Sequence, residues 1–347
     1  MPLIAKKLSM KIKINILLTL LFTFFCLGTL QAQEKAFPKK GEGVEVFLKR
    51  HNRVGSSYQK KFIELNKKKL GKGNTLRMGV KYTLPPLQGK EAAVASSKKR
   101  PNYEPLFGKE LAAYKVNSSE LKGACFYLVC GHGGPDPGAI GKIGSTKLHE
   151  DEYAYDIVLR LARNLMMKGA KVHIIIQDAQ DGIRNEKYLK NSKRETCMGK
   201  PIPFNQVRRL QQRCNQINSL FKQDRYAYKR AIFVHIDSRN KGHRTDVFFY
   251  HQEKNSESKH LAKTMKSTFA QKYKKYQPGR GFSGTVDGRN LYVLRHTTPA
   301  SLFVELGNIQ NSSDQQRLIL NNNRQALANW LCDVFITDYN RYKKKTR

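Results

Sequence analysis

An α/β domain with a mainly parallel sheet flanked by helices, preceded by a small α+β module, is the fold that the sequence predicts. Three observations carry it. From Ala124 the pattern runs strand, helix, strand: the apolar stretch CFYLV, a helical stretch over 150–168, and KVHIIIQ after the Gly169 stop. Further on, AIFVHI, DVFFYH, LYVLR and SLFVEL read as strands, separated by amphipathic helical runs that include 256–275 and 315–340. Ahead of both, residues 41–86 carry apolar positions spaced for two short helices, then an alternating stretch that closes as a strand at Leu84.

Taken in chain order, residues 1–32 read as an export signal. Lys6, Lys7, Lys11 and Lys13 precede the apolar run from Ile14 to Leu30, and Ala32 offers a cleavage point, so the mature chain is expected to begin near Gln33. A retained membrane anchor is the rival reading, because the run approaches the ~18 apolar residues of a span. No stable membrane insertion is expected once the signal is removed. The 347-residue chain has a formal charge of +37, and losing four lysines and no acids leaves +33. Such a field attracts polyanions, among them acidic wall polymers and anionic lipid. Export, with no zinc-finger spacing, removes nucleic acid from the expected partners.

Residues 40–86 form the small module and 87–120 a linker, whose QGKEAAVASSKKRPN has little apolar content. The larger domain is expected over 121–342. Cys125, Cys130, Cys197, Cys214 and Cys332 remain after processing, an odd number at irregular spacing, which reads as buried thiols with one optional disulfide.

The chemistry gathers around VCGHGGPDPGAIG at 129–141. His132 follows the first strand of the domain and His235 ends AIFVHI, so both imidazoles emerge at the same carboxyl-terminal sheet edge, where ligands of such folds sit. A third ligand would complete an open tetrahedral zinc site with water in its fourth position. Glu150 and Glu152 compete for that place. The apolar stripe Ala154, Ile157, Val158, Leu161, Ala162 and Leu165 puts Glu150 on the buried face and Glu152 with Asp156, Arg160 and Arg163 on the solvated one. Glu150 is therefore the expected ligand and Glu152 the fallback. Glycines around His132 leave room for metal and substrate, and Pro135 and Pro137 stiffen the loop. Glu305 ends an otherwise apolar strand and is the candidate for taking and giving a proton, against the plainer role of capping a turn. His149 reads as a surface or supporting residue. His51, His173, His243, His251, His260 and His296 read as surface or hydrogen-bonded histidines, with His296 and Arg295 as candidate substrate contacts.

In this order the motifs resemble the zinc-dependent N-acetylmuramoyl-L-alanine amidases of the Amidase_3 type, over roughly residues 124–340. The resemblance rests on Gly131 to Gly138, the helix beginning at Glu150, Arg213 with Asn218, His235 ending its strand, and Pro299 followed by Glu305, Leu306, Gly307 and Asn311. It implies zinc (Zn2+) held by His132, Glu150 and His235, with Glu305 as the catalytic acid/base. The chain departs from the family pattern at Val129 and Cys130, which stand where an Asp precedes the first His, and at Phe233, which stands for a Ser near the second. An insertion at about 185–205 carries Cys197 and reads as a lid or regulatory arm. The module at 40–86 resembles a LysM peptidoglycan-binding module on Gly41 to Val44, Leu65 with Asn66, and Leu76 through Gly79, Tyr82 and Leu84 to Pro85.

The function these resemblances imply is hydrolysis of the amide between N-acetylmuramic acid and L-alanine in peptidoglycan by an exported enzyme, periplasmic or associated with the cell wall. Peptidoglycan is the implied partner, with an activator protein as an optional second. The alternative is a catalytically silent wall-binding or amidase-regulating protein that keeps the fold.

Overall fold

The computed structural model describes residues 34–87, 101–239 and 246–346. The signal expected at 1–32 and His243 lie outside the described residues. The chain divides into two compact units, Met1–Arg100 and Pro101–Arg347.

The first unit is built from β1 (Lys35–Ala36), α1 (Val44–Arg50), α2 (Ser56–Asn66) and β2 (Tyr82–Thr83), with β1 and β2 antiparallel. Phe47, Leu48, Tyr58, Phe62, Tyr82 and Leu84 form its core. So small a core needs polar fastening. Asn66 provides it: its amide nitrogen donates to the Phe62 and Thr83 carbonyls at 2.9 and 2.7 Å, and its oxygen accepts from the Thr83 N–H at 2.8 Å.

The second unit opens with β3 (Asn102–Tyr103) and β4 (Ala113–Tyr114), which pair antiparallel. This hairpin falls within the stretch 87–120 expected as linker. Phe107 and Ala112 are buried, and Phe107 joins the main core. A few inward apolar residues anchor a segment whose average composition is polar. Next come β5 (Ala124–Cys130), the hairpin β6 (Ile140–Ile143) and β7 (Thr146–His149), α3 (Glu150–Met167) and β8 (Lys171–Ile174). The short strands β9 (Ile176–Gln177), β10 (Thr196–Cys197) and β11 (Lys200–Pro201) form a small antiparallel sheet, so the segment expected as a lid or arm is folded onto the domain. Then follow α4 (Gln206–Gln223), β12 (Tyr228–Asp237), β13 (Phe248–His251), α5 (Ser256–Tyr276), β14 (Thr285–Gly288), α6 (Tyr292–His296), β15 (Ala300–Asn308), α7 (Ser312–Ile319) and α8 (Asn321–Lys345).

The central sheet has the order β14-β13-β15-β12-β5-β8. All its pairs are parallel except β13 with β15. Successive β5 residues serve opposite faces, as strand pleating requires. Phe126 packs on Phe335 of α8 with ring centroids 4.8 Å apart, whereas Tyr127 meets His173 and, just beyond α4, Asp224. LYVLR, expected as a strand, is helix α6, with Val293 and Leu294 buried. So short an apolar run has no period to separate one turn of helix from a strand. The cysteines Cys125, Cys130, Cys197, Cys214 and Cys332 are all buried and free, so the optional disulfide is not formed.

A second correction concerns α3. The face bearing Glu152, Asp156 and Arg160, expected to be solvated, is buried. Arg184 pairs with Glu152 at 2.9 Å, while Arg160 and Arg324 pair with Asp156 at 2.8 and 2.6 Å. Arg184 and Arg324 come from distant stretches that helical phase alone does not reveal. Arg324 is fully buried and also donates to the Arg184 and Glu186 carbonyls. Replacing it with Met strands these acceptors, and removing one partner from such a network costs about 3–5 kcal/mol. Urea unfolding of Arg324→Met should show that loss; a midpoint equal to the parent's would mean that the network contributes nothing net.

Candidate metal centre

The carboxyl-terminal edge of the sheet gathers the residues singled out above. Gly131 continues from β5, its N–H bonded to the Val234 carbonyl at 2.7 Å, and delivers His132. Glu150 is the first residue of α3, where the helix dipole favours a negative charge. His235 and Glu305 are register partners on the adjacent parallel strands β12 and β15.

Three of the four converge. His132, Glu150 and His235 offer donor atoms that all lie within 4.8 Å of one another. The Glu150 carboxylate lies between the rings, with Oε2 3.2 Å from His132 Nε2 and Oε1 2.9 Å from His235 Nδ1. Backbone N–H groups of Ala139 and Ile236 donate to the same two oxygens at 2.8 and 3.1 Å, holding the carboxylate in place. Glu152 is elsewhere, paired with Arg184.

The residues present fit a small divalent cation. Two imidazoles and a carboxylate are the donor set of an open zinc site. The space around them is kept clear: a Cβ at Gly138 would lie 2.6 Å from Glu150 Oε2 and 2.7 Å from the His132 ring, and one at Gly131 would collide with His235. His132 itself sits at φ +59°, a left-handed conformation that costs roughly 1–2 kcal/mol for a non-glycine residue. The electrostatics agree. Burial works against a charged His132, yet hydrogen bonds to Asp136 and Glu150 outweigh it and push its pKa up to about 10. For Glu150, burial is opposed by hydrogen bonds from His132 and His235, which hold its carboxyl well below the usual range. His235 is driven down by burial despite Glu150. The pocket thus favours positive charge at its centre.

Glu305 lies beside this cluster, half-buried, and its Oε2 has no hydrogen-bond partner among the described residues. Burial, then the charges of Glu150 and Asp237, push its pKa well above 4.5. The folded state therefore keeps a proton that the unfolded chain sheds above pH 4.5, and stability is lost as pH rises through that window. In metal-free protein, Glu305→Gln should raise the melting temperature at neutral pH, with the difference vanishing below pH 4.5. Identical melting curves at neutral pH would show that the carboxyl carries no such penalty.

Sequence reasoning passed over Asp136. Its Oδ2 lies 2.9 Å from His132 Nδ1 and accepts from Arg209 at 2.6 Å, and its Oδ1 accepts from the Gly138 N–H. The signal was an acid four residues after the histidine. Support for His132 thus comes from the loop itself, where Val129 and Cys130 offer none. His235 gains a different support, Phe303 stacked on its ring at 4.1 Å. Such partners typically change metal affinity about 10–100-fold, so Asp136→Asn should weaken zinc binding to that degree in a chelator competition. Unchanged affinity would reduce Asp136 to a loop brace. Arg213 donates to the His132 carbonyl, and Asn218 bonds the His296 carbonyl at 2.8 Å and the Thr298 N–H at 2.8 Å, so this pair braces the loops. His149 precedes α3 outside the cluster, and the exposed His296 packs on Tyr292. A cleft of about 410 Å³ opens over the site, lined also by Arg209, Tyr292 and Phe303.

A family model described as N-acetylmuramoyl-L-alanine amidase, Amidase_3, matches residues 127–334. Among solved structures the chain is similar to an N-acetylmuramoyl-L-alanine amidase from Clostridium difficile 630, at 20% identity and TM-score 0.46, covering 62% of this chain and 97% of that one. It is similar also to the amidase AmiC2 of Nostoc punctiforme, at 18% and 0.45, covering 64% and 99%. A third is the CwlD amidase from Clostridioides difficile, solved in complex with the GerS lipoprotein, at 17% and 0.47, covering 62% and 98%. No curated protein sequence matches the chain.

Proposed function

Because the chain belongs to the Amidase_3 family of N-acetylmuramoyl-L-alanine amidases, we propose that its second unit hydrolyses the amide joining N-acetylmuramic acid to L-alanine in peptidoglycan, with His132, Glu150 and His235 holding zinc. The observation that carries this reading is the convergence of those three side chains, from distant stretches, beside the Glu305 carboxylate, whose Oε2 has no hydrogen-bond partner among the described residues. When bound, zinc supplies Lewis-acid polarisation of a carbonyl and a lowered water pKa. The chain's own residues do the rest. Glu305 takes the proton of the attacking water and delivers it to the departing amine, a transfer suited to a carboxyl that burial makes more basic than an ordinary carboxylate. Asp136 holds the His132 ring, and the cleft walls orient the glycan and stem peptide.

The first unit, with its β-α-α-β order, is assigned the role of a LysM-like tether that raises the local concentration of enzyme on glycan. Residues 1–32 are assigned to export, and the site of action to the periplasm or cell wall. Among the described residues no helix is long and apolar enough to cross a membrane. Purified protein should carry zinc and release stem peptides from sacculi, read by mass spectrometry of the digest. Glycan binding without turnover in any metal would overturn the hydrolase and leave the silent wall-binding protein.

A further inference from the structure

A second cluster lies at the other end of the sheet. Cys125, the second residue of β5, and His173, the third of the four residues of β8, meet at Asp224, which follows α4. A sulfur, an imidazole nitrogen and a carboxylate oxygen there lie within 4.8 Å of one another. His173 Nε2 is 3.0 Å and Cys125 Sγ 3.6 Å from Asp224 Oδ2, and the Tyr127 hydroxyl donates to the same oxygen at 2.8 Å. Three donors thus crowd one carboxylate oxygen, which offers about two lone pairs. A cation between sulfur, nitrogen and oxygen relieves that crowding. Bond lengths of ~2.3 Å to sulfur and ~2.0 Å to nitrogen or oxygen in a tetrahedron set ligand-to-ligand edges of about 3.3–3.5 Å, which the two observed separations bracket.

We propose that Cys125, His173 and Asp224 form a second metal site, selective for zinc. The mixed sulfur, nitrogen and oxygen set suits zinc and excludes calcium and magnesium, which take oxygen alone. The surroundings orient each ligand. Tyr127 stacks on His173, with ring centroids 5.4 Å apart and planes 5° from parallel, while its hydroxyl holds Asp224. Lys229 donates to the Phe221 and Asp224 carbonyls at 2.8 and 2.9 Å and pins the turn after α4. Cys125 is fully buried, whereas the His173 and Asp224 side chains keep 13% and 12% exposure, so an ion enters from their side. Loading releases the thiol proton to solvent; Cys125 binds as thiolate, His173 as neutral imidazole, and nothing is oxidised. The site ties the end of α4 to the sheet, and α4 carries Arg213, which braces the His132 loop.

Cobalt tests this independently of hydrolysis, because the cluster at His132 contains no sulfur. The full chain, stripped with chelator and titrated with Co2+, should develop a thiolate-to-cobalt charge-transfer absorption. The band should persist in a His132→Ala/His235→Ala double variant and vanish in Cys125→Ser. Zinc content of the Cys125→Ser protein should fall by one equivalent per chain. Asp224→Asn, which keeps shape but removes the charge, should weaken the band and serves if Cys125→Ser does not fold. Cobalt uptake without a thiolate band, a band that survives Cys125→Ser, or no uptake by the double variant overturns the proposal.

Discussion

Glu305→Gln should lower kcat on purified peptidoglycan by about 100–10,000-fold, the range that general acid–base groups supply, with zinc content and KM little changed. The substitution keeps size and shape and removes only the ability to exchange a proton. Glu305 makes no hydrogen bond to His132, Glu150 or His235, so metal binding should not follow the loss. Steady-state kinetics beside metal analysis separates the roles. A kcat within tenfold of the parent's would remove Glu305 from the chemistry and return it to capping a turn.

The second large effect is expected at Glu150. Both its oxygens are engaged, one toward each imidazole. Glu150→Ala leaves the two rings facing an empty volume, so zinc retention should fall below detection and hydrolysis should drop to background. Glu152→Ala is the contrast. That carboxylate binds Arg184 and the Ser192 N–H and none of the cluster, so its loss should lower stability while metal is kept. Metal analysis of the two purified variants decides between neighbouring acids, and the reverse pattern would sink the assignment of Glu150.

Much of this arrangement was legible in the chain. The parallel strands announce themselves as uninterrupted apolar runs, because a strand covered on both faces has no polar side to show. The histidines were legible because each interrupts or follows such a run at the same end. Helical phase put forward Glu150 ahead of Glu152 by assigning it alone to the buried stripe, yet both acids are buried, and what sets Glu150 apart is its place between the two imidazoles. The same reasoning failed on Glu152, Asp156 and Arg160, where ion pairs with Arg184 and Arg324 bury a face that composition marks as wet. Strand β14, with sequence TVDG, was missed because it joins the sheet edge through backbone pairing with β13 rather than through apolar side chains. Asp136 was overlooked because its role depends on the left-handed turn at His132, which places a side chain four residues on beneath the ring.

The pairing of His235 with Glu305 across β12 and β15 has a consequence for how such a chain tolerates changes in length. Side chains alternate along a strand, so deleting or inserting one residue between Ala300 and Val304 would carry the acid to the far surface of the sheet while leaving most apolar positions filled. Natural or engineered indels should therefore accumulate in connections such as 276–284, and a protein altered within these two strands would fold yet be unable to turn over its wall substrate.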